Sequence, residues 1–289
     1  MRERCHPQMS LKIDCHTHVG NYKDAHWRGK WGEVTPEFLI EYLDKNGVDK
    51  AVVLPTYSLD MRDHTPTEYV IEVCREHPER FIPFCVVEVR EEGFEKKLAR
   101  YVEEGCVGVG EHTSKIPINH RLNCKLYAAC GRLELPILIH MATAETNEYG
   151  ALDTPDLKGL EEVLKEYSNV DFIMHGPGWW RCMSKRFDPK VGYPKGKIEE
   201  PGRTVQLLEE YENLYGDLSA GSGYNALARD LDFAKPFLER FNRKLLYGTD
   251  LIDFFDPRYV HIRLLEGFKL DREAYENIYH RNLERLIRQ

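Results

Sequence analysis

Short apolar runs rich in β-branched residues recur along the chain, and longer segments with apolar residues at helical spacing separate them. Strand-like runs that alternate with helical segments are typical of βαβ units and a parallel sheet. The pattern predicts strands at Lys12–Val19, Lys50–Tyr57, Arg80–Val89, Cys106–Thr113, Pro136–Met141, Val170–Gly176, Leu214–Ala220 and Lys244–Leu251.

Helix signals occupy the intervals between these runs. Thr35-Pro36-Glu37 supplies a capping side chain followed by proline at the first helical position, and Asn46-Gly47 supplies a stop. The other predicted helices are Thr67–His77, Gly93–Glu104, Leu122–Leu133, Leu157–Tyr167, Thr204–Tyr211, Leu227–Phe241 and about Arg272–Ile287.

Eight strands in alternation with helices predict an α/β fold, a (β/α)8 TIM barrel that forms a single domain over residues 1–289. The competing architecture is an open doubly wound sheet, which usually has a glycine-rich turn after its first strand, and none follows Val19. One long irregular segment, Pro177–Pro201, separates strand six from its helix. Long ordered loops are commonly lids or binding loops, so we expect this segment to close over an active site.

The composition of the chain argues against a membrane-spanning, a nucleic-acid-binding and a secreted protein. The chain is 42% hydrophobic and 11% aromatic, and no stretch approaches the about 20 apolar residues of a membrane span. Its net charge of −8 disfavours a nucleic-acid partner. The cysteines form no CxxC pair, and the first residues lack the apolar region of a secretory signal. These features predict a cytoplasmic protein with reduced thiols and a small-molecule substrate, and they leave open whether it is a homo-oligomer.

Several predicted strands end in residues of the types that commonly bind metals in proteins. In strand one the period of two puts His16 and His18 on one side, with Cys15 and Thr17 on the other. Because the carboxyl ends of barrel strands converge on one mouth, such ends predict a site for a divalent cation. Strands five, six and eight add His140, His175 and Asp250.

Strand four adds a carboxylate, Glu111. Alternation puts Val109 and Glu111 on one face and His112 on the other, so only one of the two ionisable neighbours can face the barrel interior. A glutamate at a strand end is a candidate metal ligand. The alternative is a buried ion pair between Glu111 and Lys115 or Arg181.

The sequence resembles the amidohydrolase superfamily, in particular its amidohydrolase-related branch of metal-dependent hydrolases and decarboxylases. The resemblance covers nearly the whole chain and implies a (β/α)8 barrel with one or two divalent metals, often zinc. It rests on the segments Ile13–His18, Thr35–Val52, Pro136–His140, Leu245–Asp250 and Glu276–Leu286, in this order.

The resemblance also implies roles for single residues. His16, His18, His140 and Asp250 match the ligands of the more buried metal. In this branch the histidine after strand six, here His175, often stays off the metal and handles substrate charge or a proton.

One position departs from the pattern. Many members carry Gly-Val-Lys at the end of strand four, whereas this chain has Gly108-Val109-Gly110-Glu111. A glutamate there is similar to the two-metal subtypes, among them phosphotriesterase-like and metal-dependent deoxyribonuclease relatives, where it bridges the metals. With Glu111 and His175 the chain has all the protein ligands that a two-metal site of that type needs.

These residues predict a metal-dependent hydrolase of a small amide, ester, lactone or phosphoester. Bound Zn²⁺ lowers the pKa of its water from about 15.7 to about 7, and Asp250 would accept the proton and return it to the leaving group. The alternative is a non-oxidative decarboxylase with one metal, in which His175 or Asp250 protonates the carbanionic carbon. A third class is a barrel that binds metal or ligand without turnover. Asp14 and Asp217 are candidates to orient the ligands.

The loops after strands one and six carry aromatic residues beside cationic ones. Such a lining suits an anionic, partly apolar small molecule, although the aromatic residues could equally serve to anchor the loops. The residues are Tyr22, Trp27, Trp31, Trp179 and Trp180 beside Lys23, Arg28, Arg181, Lys185 and Arg186.

Overall fold

The computed structural model describes residues 11–21, 33–56, 65–143, 149–251 and 261–287. In this part of the chain eight parallel barrel strands alternate with helices in the predicted order, although most are shorter than predicted. The predicted end of strand two at Tyr57 lies outside the described residues. The strands are β1 Ile13–Thr17, β2 Lys50–Val53, β3 Phe81–Pro83, β4 Val109–His112, β5 Ile137–Thr143, β6 Phe172–His175, β7 Leu214–Asp217 and β8 Leu245–Leu246.

These strands lie in two parallel sheets. β1, β2 and β3 make one parallel sheet, and β4 to β8 follow one another in a second. Two isolated parallel pairings join the sheets, Cys85 with Val109 and Thr17 with Leu251. The first is accompanied by a backbone hydrogen bond of 2.8 Å from Gly110 N to Cys85 O. The predicted (β/α)8 barrel is confirmed.

The helices mostly begin and end within one or two residues of the predicted positions. α1 begins after Thr35, whose hydroxyl accepts from Phe38 N at 3.2 Å, and ends at Gly47, which has a φ of 63°. Within the described ranges, no helix combines the length and apolarity that crossing a membrane requires. The helices are α1 Pro36–Asn46, α2 Thr67–Glu76, α3 Phe94–Glu103, α4 Arg121–Leu133, α5 Lys158–Glu166, α6 Pro177–Trp180, α7 Arg203–Glu210, α8 Ala220–Ala228, α9 Leu231–Phe241, α10 His261–Gly267, α11 Arg272–Glu276 and α12 Asn282–Leu286.

Three predictions about helices are wrong in detail. The predicted helix Leu227–Phe241 is two helices, because Asp230 interrupts it and caps α9 by accepting from Phe233 N at 3.2 Å. Ala220, predicted to end strand seven, begins α8 instead. The last helix runs without a break from Arg272 to Leu286, as predicted, but it is not α-helical throughout, since Asn277–Arg281 between α11 and α12 is π-helical.

Apolar side chains cover both faces of the strands. Inward-facing residues such as Ile82, Leu138 and Ile173 pack with Leu283 and Leu286 of α12 inside the barrel. Outward-facing residues pack against the surrounding helices in a second, larger cluster. The interior is therefore apolar except at the carboxyl ends of the strands, where the predicted ligands lie.

The segment Pro177–Pro201 begins with α6 and is anchored by its aromatic residues. Trp179 and Trp180 are buried at 0% and 2% exposure, and Trp180 Nε1 donates to Asp217 O at 2.8 Å. These two side chains therefore belong to the core. The later part of the segment is hydrogen-bonded to α8 and to the cap of α9. Closure of the segment over an active site stays a prediction.

Candidate metal centre

The histidines of β5 and β6 reach the site by the regular alternation of side chains along each strand. Leu138 and Ile173 face the barrel interior, and His140 and His175, two positions later on each strand, face the same way. The two histidines are direct partners in the parallel pairing, with ring centroids 5.0 Å apart. Regular strand geometry therefore brings both imidazoles to the mouth of the barrel.

β1 delivers its histidines through a shift of register. Asp14 pairs with Ala51 of β2 but Thr17 pairs with Val53, so three steps along β1 match two steps along β2. A shift of this kind is a β-bulge, which re-aims side chains and is common beside functional sites. His16 and His18 lie past its start, with their Nε2 atoms 3.1 Å apart.

The shift changes two other predictions for β1. Cys15, predicted on the side opposite to His16, packs in the barrel interior, and its thiol donates to Asp217 Oδ1 at 3.4 Å. Asp14, predicted to share the face of His16, accepts from His16 N at 3.0 Å and from the Thr249 hydroxyl at 2.6 Å. It therefore contacts the backbone of His16 and not its imidazole.

β4 contains a second shift of register. Val109 and His112, three residues apart, pair with positions only two residues apart on β5. Glu111 faces the site, whereas His112 faces α4, where its Nε2 lies 2.9 Å from Asn123 Oδ1. The prediction that only one of the two neighbours faces inward is correct. The prediction that Val109 shares a face with Glu111 is wrong, because Val109 packs in the outer layer.

The first ligand group is His16, His18 and Asp250, whose ligand atoms all lie within 4.8 Å of one another. Asp250 Oδ1 is 3.5 Å from His16 Nε2 and 3.3 Å from His18 Nε2. His18 Nδ1 lies 2.9 Å from Leu54 O, which can only accept, so Nδ1 carries a proton. In the neutral imidazole that a metal ligand must be, Nε2 then carries the lone pair. His16 Nδ1 lies 2.7 Å from Asp217 Oδ2, with the same consequence.

The ring protonation of His16 and His18 shows whether a metal ion fits the first group. Two imidazole lone pairs that face each other at 3.1 Å repel unless a cation lies between them and the adjacent carboxylate. Imidazole nitrogens and a carboxylate oxygen are ligands that zinc and other divalent transition metals accept. The first group therefore fits a divalent cation.

The second ligand group is His16, Glu111 and His175, also within 4.8 Å. Among the described residues His175 Nε2 has no hydrogen-bond partner although it is buried. It lies 3.7 Å from Glu111 Oε1 and 3.8 Å from Asp250 Oδ2. A buried ring nitrogen without a partner is costly, and coordination of a cation would satisfy it.

His140 stands apart from both groups. Its Nδ1 lies 2.6 Å from Glu111 Oε1, and its ring packs on Tyr149 with centroids 4.3 Å apart. Glu111 therefore pairs with His140 and not with Lys115 or Arg181. The structure brings together His16, His18, Glu111, His175 and Asp250, and it connects His140 to them through Glu111.

Buried carboxylates dominate the charge of the site. Burial alone would raise the pKa of Glu111 and of Asp217, but the neighbouring histidines hold both pKa values below the usual range. Burial would lower the pKa of His175, yet Asp217, followed by Glu111 and Asp250, raises it to about 9. The site thus needs positive charge at its centre, which a divalent cation supplies.

Sequence reasoning named Asp217 only as a secondary candidate and missed Ser219. Both are fully buried after β7, and the Ser219 hydroxyl donates to Asp217 Oδ2 at 2.7 Å. The available signal was a polar Asp-x-Ser at the end of an apolar strand. The loop residues Tyr22, Trp27, Trp31, Lys23 and Arg28 lie outside the described residues.

The fold and the site define a class, that of (β/α)8 barrels with a candidate metal centre at the carboxyl ends of the strands. The family model described as Amidohydrolase matches residues 13–288, and the chain belongs to this family. Members of the family are enzymes, and the solved relatives include hydrolases and decarboxylases. No curated protein sequence matches the chain.

Three solved structures share the fold at low sequence identity. An uncharacterised TIM-barrel protein from Bordetella bronchiseptica is 15% identical with a TM-score of 0.70, covering 96% of this chain and 98% of that one. A putative 2-pyrone-4,6-dicarboxylic acid hydrolase from Pseudomonas putida is 16% identical, with a TM-score of 0.67 and coverages of 96% and 97%. A dihydroxybenzoic acid decarboxylase from Polaromonas, with manganese and an inhibitor bound, is 12% identical, with a TM-score of 0.61 and coverages of 96% and 97%.

Proposed function

We propose that this protein is a metal-dependent hydrolase of a small ester, lactone, amide or phosphoester. The position of Glu111 carries the proposal. Its Oε1 lies 3.7 Å from His175 Nε2 and its Oε2 lies 3.9 Å from His18 Nε2, so one oxygen faces each ligand group. A bridge between two cations requires a carboxylate placed in this way, and two-metal sites are common in hydrolytic enzymes.

The two ligand groups would hold the cations. His16, His18 and Asp250 would hold one, and Glu111 with His175 would hold the other. Bound there, divalent cations would lower the pKa of a water molecule and polarise the substrate oxygen. The imidazole-rich first group favours zinc. Manganese is the second candidate, because the Polaromonas relative contains it.

Charge balance also supports two cations. Glu111, Asp217 and Asp250 are three carboxylates within one buried cluster of histidines. One dication would leave the cluster negative and therefore hostile to an anionic substrate. Two dications would leave it positive by about one charge, which suits an anionic nucleophile or substrate.

Asp250 is placed to move a proton. Its Oδ1 faces His16 and His18, whereas its Oδ2 faces His175 Nε2 at 3.8 Å. One oxygen can therefore stay on the first ligand group while the other takes a proton from water and returns it to the leaving group. His175 lies at the same place and would orient the substrate or the second cation.

A second candidate function is non-oxidative decarboxylation with one cation. The contact of 2.6 Å between His140 Nδ1 and Glu111 Oε1 favours it, because that oxygen is already occupied by a donor. Glu111 would then be a neighbour of the substrate and not a bridge. The Polaromonas protein that shares the fold is a dihydroxybenzoic acid decarboxylase.

We propose a small anionic substrate for either reaction. The Pseudomonas and Polaromonas proteins that share the fold support this choice. The first is a putative hydrolase of 2-pyrone-4,6-dicarboxylic acid and the second a decarboxylase of dihydroxybenzoic acid, and both compounds are carboxylic acids. The net charge of −8 makes a polyanionic substrate less suitable than a small one.

The deciding experiment follows the atoms of the product. Protein reconstituted with zinc or with manganese would be incubated in ¹⁸O-labelled water with simple lactones, esters and 2-pyrone-4,6-dicarboxylate, and separately with dihydroxybenzoates. Hydrolysis places one ¹⁸O in the organic or phosphate product, whereas decarboxylation gives an organic product that has lost CO₂ and has gained no ¹⁸O. Release of CO₂ alone would replace the hydrolase by the decarboxylase, and failure of the wild type to take up any metal would contradict both.

A further inference from the structure

We infer that Asp217 is a positioning residue which, with a single carboxylate oxygen, sets the orientation and the tautomer of both His16 and His175 and thereby joins the two ligand groups. The inference rests on the proposed function only in that the groups bind metal. It assigns no catalytic step to Asp217 itself.

The contacts of Asp217 are divided between its two oxygens. Oδ2 lies 2.7 Å from His16 Nδ1 and 3.0 Å from His175 Nδ1, and it also accepts from the Ser219 hydroxyl at 2.7 Å. The Ser219 hydroxyl oxygen itself lies 3.0 Å from His175 Nδ1, so Asp217 and Ser219 share that ring nitrogen. Oδ1 accepts from Ser219 N at 2.8 Å and from the Cys15 thiol at 3.4 Å. The side chain is fully buried, so these contacts replace all hydration of the carboxylate.

The donors on Oδ2 fix the chemistry of the opposite ring atoms. An ionised carboxylate only accepts, so His16 Nδ1 carries a proton. The Ser219 hydroxyl donates its hydrogen to Oδ2, so both oxygens beside His175 Nδ1 are acceptors and that nitrogen carries a proton too. In a neutral imidazole the other nitrogen then carries the lone pair, and on both rings that nitrogen is Nε2, which faces the ligand groups. Hydrogen bonds of this kind orient metal-binding histidines and raise their affinity.

The other two imidazoles are held differently. His18 Nδ1 donates to Leu54 O, a backbone group, and His140 Nδ1 lies on Glu111. Asp217 therefore contacts both His16, which belongs to both ligand groups, and His175, whose Nε2 has no hydrogen-bond partner among the described residues. A change at Asp217 should disturb both groups at once.

Asp217→Asn tests this with almost no change in volume. An amide has one accepting oxygen, so its NH₂ group must face either the two imidazoles or the Ser219 N–H and the Cys15 thiol. If the NH₂ faces the imidazoles, the Nδ1 atoms must accept, and each Nε2–H then points at the metal position. We expect the dissociation constant of the first metal to rise about 10- to 100-fold, and uptake of the second to become undetectable.

Cys15→Ala is the matched control. It removes a donor to the same carboxylate, but on Oδ1, and it leaves both imidazole contacts in place. Cys15 is as deeply buried as Asp217, so the control tests for general damage to the core. We expect its metal affinity to stay within about twofold of the wild type.

The measurement is competition for Zn²⁺ against a chromophoric chelator, together with the visible absorption spectrum of the Co²⁺-substituted protein and the melting temperature of the metal-free protein. Weakened binding and an altered Co²⁺ spectrum in Asp217→Asn, with neither change in Cys15→Ala, would support the inference. Equal affinities in the wild type and in Asp217→Asn would overturn it, as would an equal loss in both variants. A wild type without metal affinity would instead contradict the proposed function.

Discussion

Two pairs of strands supply most of the candidate centre, and they do so by different geometry. β5 and β6 keep strict alternation, so His140 and His175 follow inward-facing Leu138 and Ile173 by two residues. β1 and β4 each contain a shift of register just before their ligands.

The difference determines where each ligand lies. The shifted strands supply His16, which belongs to both ligand groups, and Glu111, which faces both. The regular strands supply His175 to one group and His140 to neither. In a regular strand every second side chain points to the same face. A bulge breaks this alternation, so that adjacent residues such as Cys15 and His16 can both point toward the barrel interior. We infer that the shifts place the central ligands and that the regular strands hold the peripheral ones.

The strongest test compares His16→Ala with His140→Ala. Because His16 is a ligand of the first group and its Nε2 also lies beside the second, its loss should prevent uptake of the first cation, weaken uptake of the second and lower turnover by at least about 10³-fold. His140→Ala should keep the first cation, because His16, His18 and Asp250 remain. Elemental analysis and steady-state kinetics would show the difference. Equal metal loss in both variants would remove the distinction between central and peripheral ligands.

Asp250→Asn should come next in size, because it separates ligation from proton transfer at the turn after β8. The amide oxygen can still face the first group, but the side chain can no longer accept a proton. We expect turnover to fall about 10²- to 10⁴-fold while at least part of the metal remains. Near-normal turnover in a metal-loaded variant would show that another residue carries the proton.

Glu111→Gln should have a smaller effect that is specific to metal number. If Glu111 bridges two cations, the wild type takes up close to two equivalents under metal excess and the variant close to one, since an amide is a poor anionic bridge. The expected loss of turnover is about 10- to 100-fold. If the wild type saturates at one equivalent and the variant matches it, the one-metal decarboxylase becomes the better proposal.

Deletion of Lys185–Lys197 should have the smallest effect and concerns neither pair of strands. The segment would lose exposed ion pairs such as Lys197 with Asp232, each worth at most about 1 kcal/mol, so the melting temperature should fall by only a few degrees. If the segment closes over the site, the Michaelis constant should rise about tenfold, by loss of substrate contacts. An unchanged Michaelis constant would show that it is not a lid.

The same comparison explains what the sequence could predict. The ends of β5 and β6 follow from alternation alone, and so do their inward-facing residues. The positions of Cys15 and Asp14 could not be predicted, because a register shift depends on how the neighbouring strand pairs and leaves no local signal in β1. For Val109 one signal was available, since Gly110 lies inside β4 with a φ of 144° and a glycine inside a strand often marks a bulge. Glu111 was identified from its residue type and position, although the alternation argument around it was wrong.

One missed helix has a more local cause. Residues 220–223 read Ala-Gly-Ser-Gly, which resembles a loop because glycine disfavours helices. The structure uses Gly223 for close packing, since a Cβ there would lie 2.3 Å from Leu218 O. The turn after β7 that carries Ser219 therefore enters α8 directly, through a close approach of neighbouring backbone segments that the sequence pattern does not reveal.

The contact between β1 and the turn after β8 has a consequence for how long the protein resists proteolysis in the cell. The Thr249 hydroxyl donates to Asp14 Oδ2 across 235 residues of sequence, beside candidate ligands from the first strand and from the turn after the last one. During synthesis His16 and His18 emerge early, but their partner Asp250 emerges only when the ribosome has made most of the chain. A cation bound afterwards stabilises the finished protein, by about 2.7 kcal/mol when its free concentration is 100 times the dissociation constant. Metal starvation should therefore shorten the survival of the protein against proteolysis as well as stop its chemistry.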